Sequence, residues 1–304
     1  MKKFFLFLIT CLAVIIVMAS CSKSTEPGID LPQEIEWCLI PAGEFTYGPP
    51  EEEVNYTSIE NIDYDYEIMK YEITNGQYLA YLQEAYAAGD VWLSGSEVQG
   101  SYPGDVHWES GNYHFYQLGT PASWNYAQIS YSNGKFILNV PSGFTVADYM
   151  NHPVVRITWF GAWHFAEYHG WRLPTEHEWE KGARGMTGYT FPWGNTLAGS
   201  RANYLNSGDP WDNGTSPVGF YNGQTYQDFQ TSDMQSPFGV YDMAGNVFNW
   251  TDSWYGDSYP DSRVVRGGGW SVAYTYYLRS FTRNNFIPTN CHYDYGFRCV
   301  RIPE

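Results

Sequence analysis

Cysteine and positive charge are what this chain has least of. Its 304 residues include 5 cysteines, and 16 lysines and arginines stand against 33 acids, for a formal net charge of −17. So acidic a chain lacks the basic contacts that phosphate backbones need, which argues against nucleic acid as a partner and against adhesion to anionic head groups. It is compatible with a hard cation held by oxygen ligands. No internal repeat is evident. No Gly-x-Ser-x-Gly nucleophile elbow lies between a strand and a helix, so nothing points to a serine hydrolase.

The one long apolar run is at the N-terminus. Lys2 and Lys3 precede Phe4 to Met18, and Ala19-Ser20 supplies small residues before Cys21. A charged start, a short apolar core and small residues make a secretory signal, with a core too short to span a bilayer comfortably. The Met18-Ala-Ser-Cys21 end resembles the bacterial lipobox, which implies cleavage before Cys21 and its acylation. Residues 1–21 are therefore expected to be a lipoprotein signal peptide. Polar, Pro- and Gly-bearing residues 22–34 read as a flexible tether, and 35–304 as one domain. Ser at position 22, where Asp would retain a lipoprotein in the inner membrane, gives the outer membrane of a cell envelope as the expected location. With Cys11 removed and Cys21 acylated, Cys38, Cys291 and Cys299 remain, an odd number in an oxidising compartment. One pair and one free thiol is the simplest outcome.

Within the domain, Trp37 to Gly48 reads as a first strand and turn, and Tyr64 to Lys70 as a second strand. Tyr71 to Ala85 carries a helix that Thr74 or Asn75 can cap, with Tyr78, Leu79 and Leu82 facing the core. Residues 88–150 alternate in several short runs and carry Asn133-Gly134, a tight-hairpin pair, so they read as a β-rich insertion. His152 to Trp159 is expected as a strand leading into a helix over Gly161–His169. Thr175 caps the next helix with Glu178 at capping-box spacing, and Trp179 should be buried. Aromatics reach 19% of the chain, a composition shared by sugar-stacking surfaces and ring-filled cores.

Five motifs occur in order: Arg172-Leu-Pro-Thr-Glu-His-Glu-Trp-Glu-Lys-Gly-Ala-Arg184, Phe191-Pro-Trp-Gly-Asn195, Gly239-Val-Tyr-Asp-Met-Ala-Gly-Asn-Val-Phe-Asn-Trp250, Arg263-Val-Val-Arg-Gly-Gly-Gly-Trp270 and Gly296-Phe-Arg-Cys299. Together they resemble the formylglycine-generating enzyme, or sulfatase-modifying factor, family. The resemblance implies an α+β fold, a C-type-lectin-like variant with little regular secondary structure. In catalytic members two cysteines beyond the Gly-Gly-x-Trp turn bind Cu(I) as thiolates, as soft ligands suit that ion. Their positions here are Val272 and Tyr277, so copper is not expected, nor is formylglycine formation.

The resemblance implies structural calcium instead. One site matches Asn203, Tyr204, the acids Asp209 and Asp212, and the backbone at Gly214. A second matches Asn246, with Asn249 where the family has Glu; the amide keeps an oxygen but loses a charge. Trp270, Ser271, Arg279 and Arg283 are expected to line the family's cleft. Because first and last strands of lectin-like folds commonly lie together, a Cys38–Cys299 disulfide is expected. The four histidines His152, His164, His169 and His177 are near in sequence, but His164 and His169 fall on different helix faces. Three functions follow as expectations: a lipid-anchored binding or structural component with a peptide, protein or glycan in the cleft; an oxidoreductase with a different, non-haem-iron type of metal site; and a calcium-dependent carbohydrate-binding module.

Overall fold

Strand formation begins where the sequence alternates, but Pro41 divides the first run. Trp37–Ile40 (β1) and Gly43–Tyr47 (β2) are separate strands. β2 pairs antiparallel with Ser58–Ile62 (β3), whereas β1 pairs with Tyr66–Met69 (β4). The computed structural model describes residues 34–50, 57–119, 128–211 and 213–303, all within one unit, Pro32–Glu304. The signal, lipobox and Cys21, the tether up to residue 33, and Asp212 lie outside the described residues. Among those described, no helix is long and apolar enough to cross a membrane.

Helix α1 (Asn75–Ala88) starts on Thr74, whose side chain accepts from the Gln77 N–H while the Gln77 side chain returns to the Thr74 N–H. This capping box satisfies two otherwise orphaned donors. Tyr78, Leu79 and Leu82 are buried as the spacing predicts. The insertion is β-rich: Val91–Ser94 (β5), Glu97–Tyr102 (β6) and Gly111–Gln117 (β7) form one sheet, and Ile129–Ser132 (β8) and Lys135–Leu138 (β9) a hairpin. Asn133 and Gly134 both take positive φ at its tip, as a primed turn requires. A short helix, α2 (Val146–Met150), ends the segment.

The expected strand from His152 does not form. Only isolated bridges occur there, Thr74 to Pro153 and Tyr116 to Ile157. Pro153 cannot donate to a ladder, and Arg156 adopts a φ of 64°. Helix α3 (Trp159–Tyr168) follows, and α4 (Glu176–Arg184) begins on the Thr175–Glu178 capping box, burying Trp179. After a loop-rich stretch with the small ribbon Thr225–Tyr226 (β10) and Phe229–Gln230 (β11) comes the sheet that leads into the glycine turn. Its order is Asn284–Phe286 (β14), Arg263–Arg266 (β13), Phe248–Trp254 (β12) and Tyr295–Gly296 (β15). The last strand, Val300–Arg301 (β16), returns to the first sheet.

That return overturns the expected disulfide. β1 and β16 do share a sheet, but β4 lies between them: Cys38 and Val300 both face Ile68, from opposite sides. Two strand spacings separate them by roughly 10 Å, beyond the ~7 Å Cα reach of a disulfide. Alternation also turns Cys299, one residue before Val300, to the other face of the sheet. Cys299 is buried in the main core while Cys38 borders a second cluster around Trp179 and Ile68. Cys38, Cys291 and Cys299 are all free thiols.

Candidate functional site

The glycine turn after β13 is shaped by what presses on it. Gly267 and Gly268 have φ of 92° and 77°, which only glycine adopts without strain. A Cβ on Gly268 would meet the Tyr277 carbonyl at 3.0 Å and Leu278 at 2.7 Å, and one on Gly269 would meet the Asp294 side chain at 3.0 Å. The turn is thus gripped by residues 277–278 on one side and Asp294 on the other. Trp270 is buried, its backbone N–H donating to Asn246 O (2.8 Å) and its indole to Tyr293 O (3.0 Å).

Beyond the turn, the two family cysteine positions hold no thiol. The Val272 side chain is buried and hydrocarbon, and Tyr277 is a half-buried phenol packed 6.0 Å from Phe248 on the 3₁₀ segment Thr275–Leu278. Among the described residues the cysteines are Cys38, the half-buried Cys291 and the core residue Cys299, all free, with burial raising all three thiols above the usual range. These residues do not fit copper bound by thiolates.

Of the expected cleft residues, Trp270 and Ser271 flank the turn. Ser271 donates its hydroxyl to Asp294 Oδ2, and His292 Nδ1 lies 2.5 Å from Asp294 Oδ1. The serine and the imidazole share one carboxylate and do not bond each other, so this is not the nucleophile–base order of a serine triad. Arg279 is half-buried, over the Phe281 ring. Arg283 braces the start of α4, in a bidentate pair with Glu176 (2.6 and 2.9 Å) and a bond to Tyr255 O. His292 and Asp294 escaped the sequence reading. The only cue was that Asp294 stands two residues before the Gly-Phe-Arg motif.

The calcium positions divide. Asn203, Gly214 and Asn246 come together: Asn203 Nδ2 donates to Gly214 O (2.9 Å) and lies 3.4 Å from Asn246 Oδ1, which also accepts from Ser216 N (3.0 Å). Amide and carbonyl oxygens in one buried group are suitable donors for a hard cation. The Tyr204 carbonyl accepts from Ser207 N, and the Asp209 carboxylate is spent on Ser207, Tyr221 and the Trp211 N–H. Asn249 is turned away: its Oδ1 accepts from Trp179 Nε1 (3.0 Å) and Arg298 Nε (2.7 Å). Its Nδ2 and that of Asn246 both donate to Glu72 (3.1 and 2.9 Å), a buried acid the sequence reading missed. Burial first, and the nearby Asp242 second, raise Glu72 well above the usual carboxylate range; burial lifts Asp242 to about 6.

The histidines have separate hydrogen-bond partners, although His164 and His169 both border the Tyr81 ring. His152 bonds Thr215, His164 bonds Tyr81, His169 bonds the Phe165 carbonyl, and His177 stacks on Tyr47. Among the described residues, no group of three or more His, Cys, Asp or Glu side chains is placed to hold a metal ion.

This geometry agrees with comparisons to known proteins. The formylglycine-generating enzyme of Mus musculus is 27% identical over 291 residues, covering 86% of this chain and 73% of that protein. The inactive C-alpha-formylglycine-generating enzyme 2 of Bos taurus is 33% identical over 163 residues, covering 52% of this chain and 53% of that one. This chain spans only 27% to 53% of the length of several curated relatives it matches. The solved structure of PvdO from Pseudomonas aeruginosa shares the fold, with a TM-score of 0.59 at 22% identity over 88% of this chain and 95% of that one. The model of the sulfatase-modifying factor enzyme 1-like domain matches residues 24–303, and the chain belongs to that family.

Proposed function

We propose that this is a lipid-anchored envelope component that keeps the family's cleft for binding and has given up its thiol oxidation. The observation that carries the reading is the occupancy of the two cysteine positions by Val272 and Tyr277 beside an intact glycine turn and Trp270. Likeness to a relative named as inactive is consistent with it. Anchoring would come from acylated Cys21; one acyl chain binds only marginally, so a stable anchor needs several. Cys21→Ala should release the protein from membranes, and unchanged retention would refute the anchor. Calcium, seated among Asn203, Gly214 O and Asn246, would brace the floor beneath the cleft and take no part in ligand contact, since both asparagines are buried.

The test of the loss of thiol oxidation is mass spectrometry of a peptide carrying Cys-x-Pro-x-Arg after incubation with the protein, Cu(I), oxygen and reductant. No aldehyde above a no-protein control is expected. Conversion of the cysteine would overturn the reading.

A further inference from the structure

We infer that the cleft takes a neutral glycan, stacked on Tyr274 and Tyr276 and hydrogen-bonded by His292, without calcium; this rests on the binding reading of the same cleft. Two features meet there. The first is a polar group of fixed direction. Asp294 is buried, and an unpaired carboxylate in that position would be costly. Ser271 and His292 satisfy it. With Nδ1 held by Asp294, the hydrogen-bonding capacity left on the half-exposed ring is Nε2. The carboxylate thus presets both the orientation and the tautomer of an imidazole at the surface.

The second feature is a row of rings left in water. Tyr274 is 70% and Tyr276 45% exposed. Ring centroids run 6.3 Å from Tyr274 to Tyr276 and 4.0 Å from Tyr276 to Tyr277. Faces of this kind bury large area at small entropic cost and suit the C–H faces of sugar rings. The two features flank the same glycine turn, Gly268 abutting the backbone of Tyr277 and the adjacent Gly269 abutting Asp294. A chain of ring contacts over the buried Phe248 and Tyr295 links them, Tyr277 packing on Phe248, Phe248 on Tyr295, and Tyr295 on His292, at 6.0, 6.0 and 5.1 Å.

Charge selects the ligand class. Residues 262–293 contain no acid, although the chain carries 33. Arg263 and Arg266 are in buried ion pairs, Arg283 is held by Glu176, and the half-buried Arg279 lies over the Phe281 ring with a partner of its own. What the surface offers is ring faces, an imidazole and hydroxyls, which match a polyhydroxylated neutral ligand better than a cationic or anionic one. Asn203 and Asn246, each 2% exposed, are too enclosed for a calcium there to touch a sugar.

The experiment is calorimetry and saturation-transfer NMR on the purified chain with cellohexaose, mannohexaose, xylohexaose and chitohexaose, each with and without EDTA. At least one hexaose should bind, indifferent to chelator. Tyr274→Ala and Tyr276→Ala should each weaken it about twofold to tenfold, His292→Phe about fivefold, and Tyr168→Ala, an exposed ring on α3, not at all. Asp294 acts as a positioning residue, so Asp294→Asn combined with His292→Phe should cost no more than His292→Phe alone. Absence of binding to all four, loss of binding with EDTA, or binding that ignores Tyr276→Ala and His292→Phe would overturn the inference. None of these results touches the reading that thiol oxidation is lost, which falls only if the cysteine peptide is converted.

Discussion

Glu180 is the residue whose loss should be felt most widely. Its carboxylate is buried together with Arg184 and Arg266. One oxygen accepts from Arg184 Nη2 (2.6 Å) and the Gly48 N–H (2.9 Å), and the other accepts from Arg266 Nη2. Arg184 Nε and Arg266 Nε and Nη1 are buried without a hydrogen-bond partner. Glu180→Gln therefore leaves two like charges buried side by side with a neutral amide between them. Removing one partner of a buried pair costs about 3–5 kcal/mol, and serving two guanidiniums places this residue at the upper end. For a domain of this size each kcal/mol lowers Tm by about 2 °C or slightly more, so a fall of roughly 6–12 °C is expected. Arg266 also bonds Ser280 O at the end of the tyrosine segment. Hydrogen exchange over residues 271–280 should accelerate in the same variant. Urea unfolding measures the first effect. A loss under about 1 kcal/mol would mean that water reaches the cluster and that the argument from burial is wrong.

His152, fully buried and pushed down to about 3 by burial, should set part of the acid limb of stability. The unfolded chain takes up its proton below about 6.5 and the native state does not. Stability is therefore complete above that pH and declines by up to roughly 1.4 kcal/mol per unit as pH falls toward 3; His152→Phe should flatten this limb in denaturant titrations at stepped pH. Gly245 has a φ of 86° and a Cβ there would lie 2.3 Å from Asn203 O, so Gly245→Ala should destabilise by about 2–4 kcal/mol, read by calorimetry. If calcium binds, a hundredfold excess over its Kd should add about 2.7 kcal/mol and Asn246→Ala should abolish the gain; a Tm that ignores both calcium and chelator would count against the site.

Local signals were legible in the sequence and long-range ones were not. Thr74 and Thr175 announced their helices because a capping box is complete within four residues. Asn133-Gly134 announced its hairpin for the same reason. The run after His152 alternates like a strand, yet Pro153 and the left-handed Arg156 deny it a partner along its length. The pairing of Cys38 with Cys299 failed because nothing in the sequence reveals that β4 is threaded between β1 and β16. Glu72 was missed because its partners Asn246 and Asn249 lie 174 and 177 residues away. Likewise Asp294 takes its meaning from Gly269 and Ser271, which the fold brings to it.

The frame of the glycine turn and the thiol chemistry of catalytic relatives depend on different atoms. The turn is fixed by Trp179 against Gly267, by Leu278 and the Tyr277 carbonyl against Gly268, and by Asp294 against Gly269. None of these contacts uses the side chain of residue 272 or 277. Substituting both with cysteine should therefore leave the turn in place. Val272→Cys removes little volume, and Tyr277→Cys empties a position that is already half in water, so the combined cost should stay near 1–2 kcal/mol. The double variant should bind one Cu(I) in competition with a chromophoric chelator, and the parent chain none, because two thiolates supply the soft ligands that valine and phenol do not. A variant that keeps the parent's Tm but gains no Cu(I) would show that the backbone has drifted from a ligand-holding geometry. Restoring the thiols would then not be enough to restore the copper site that the proposed loss of oxidation rests on.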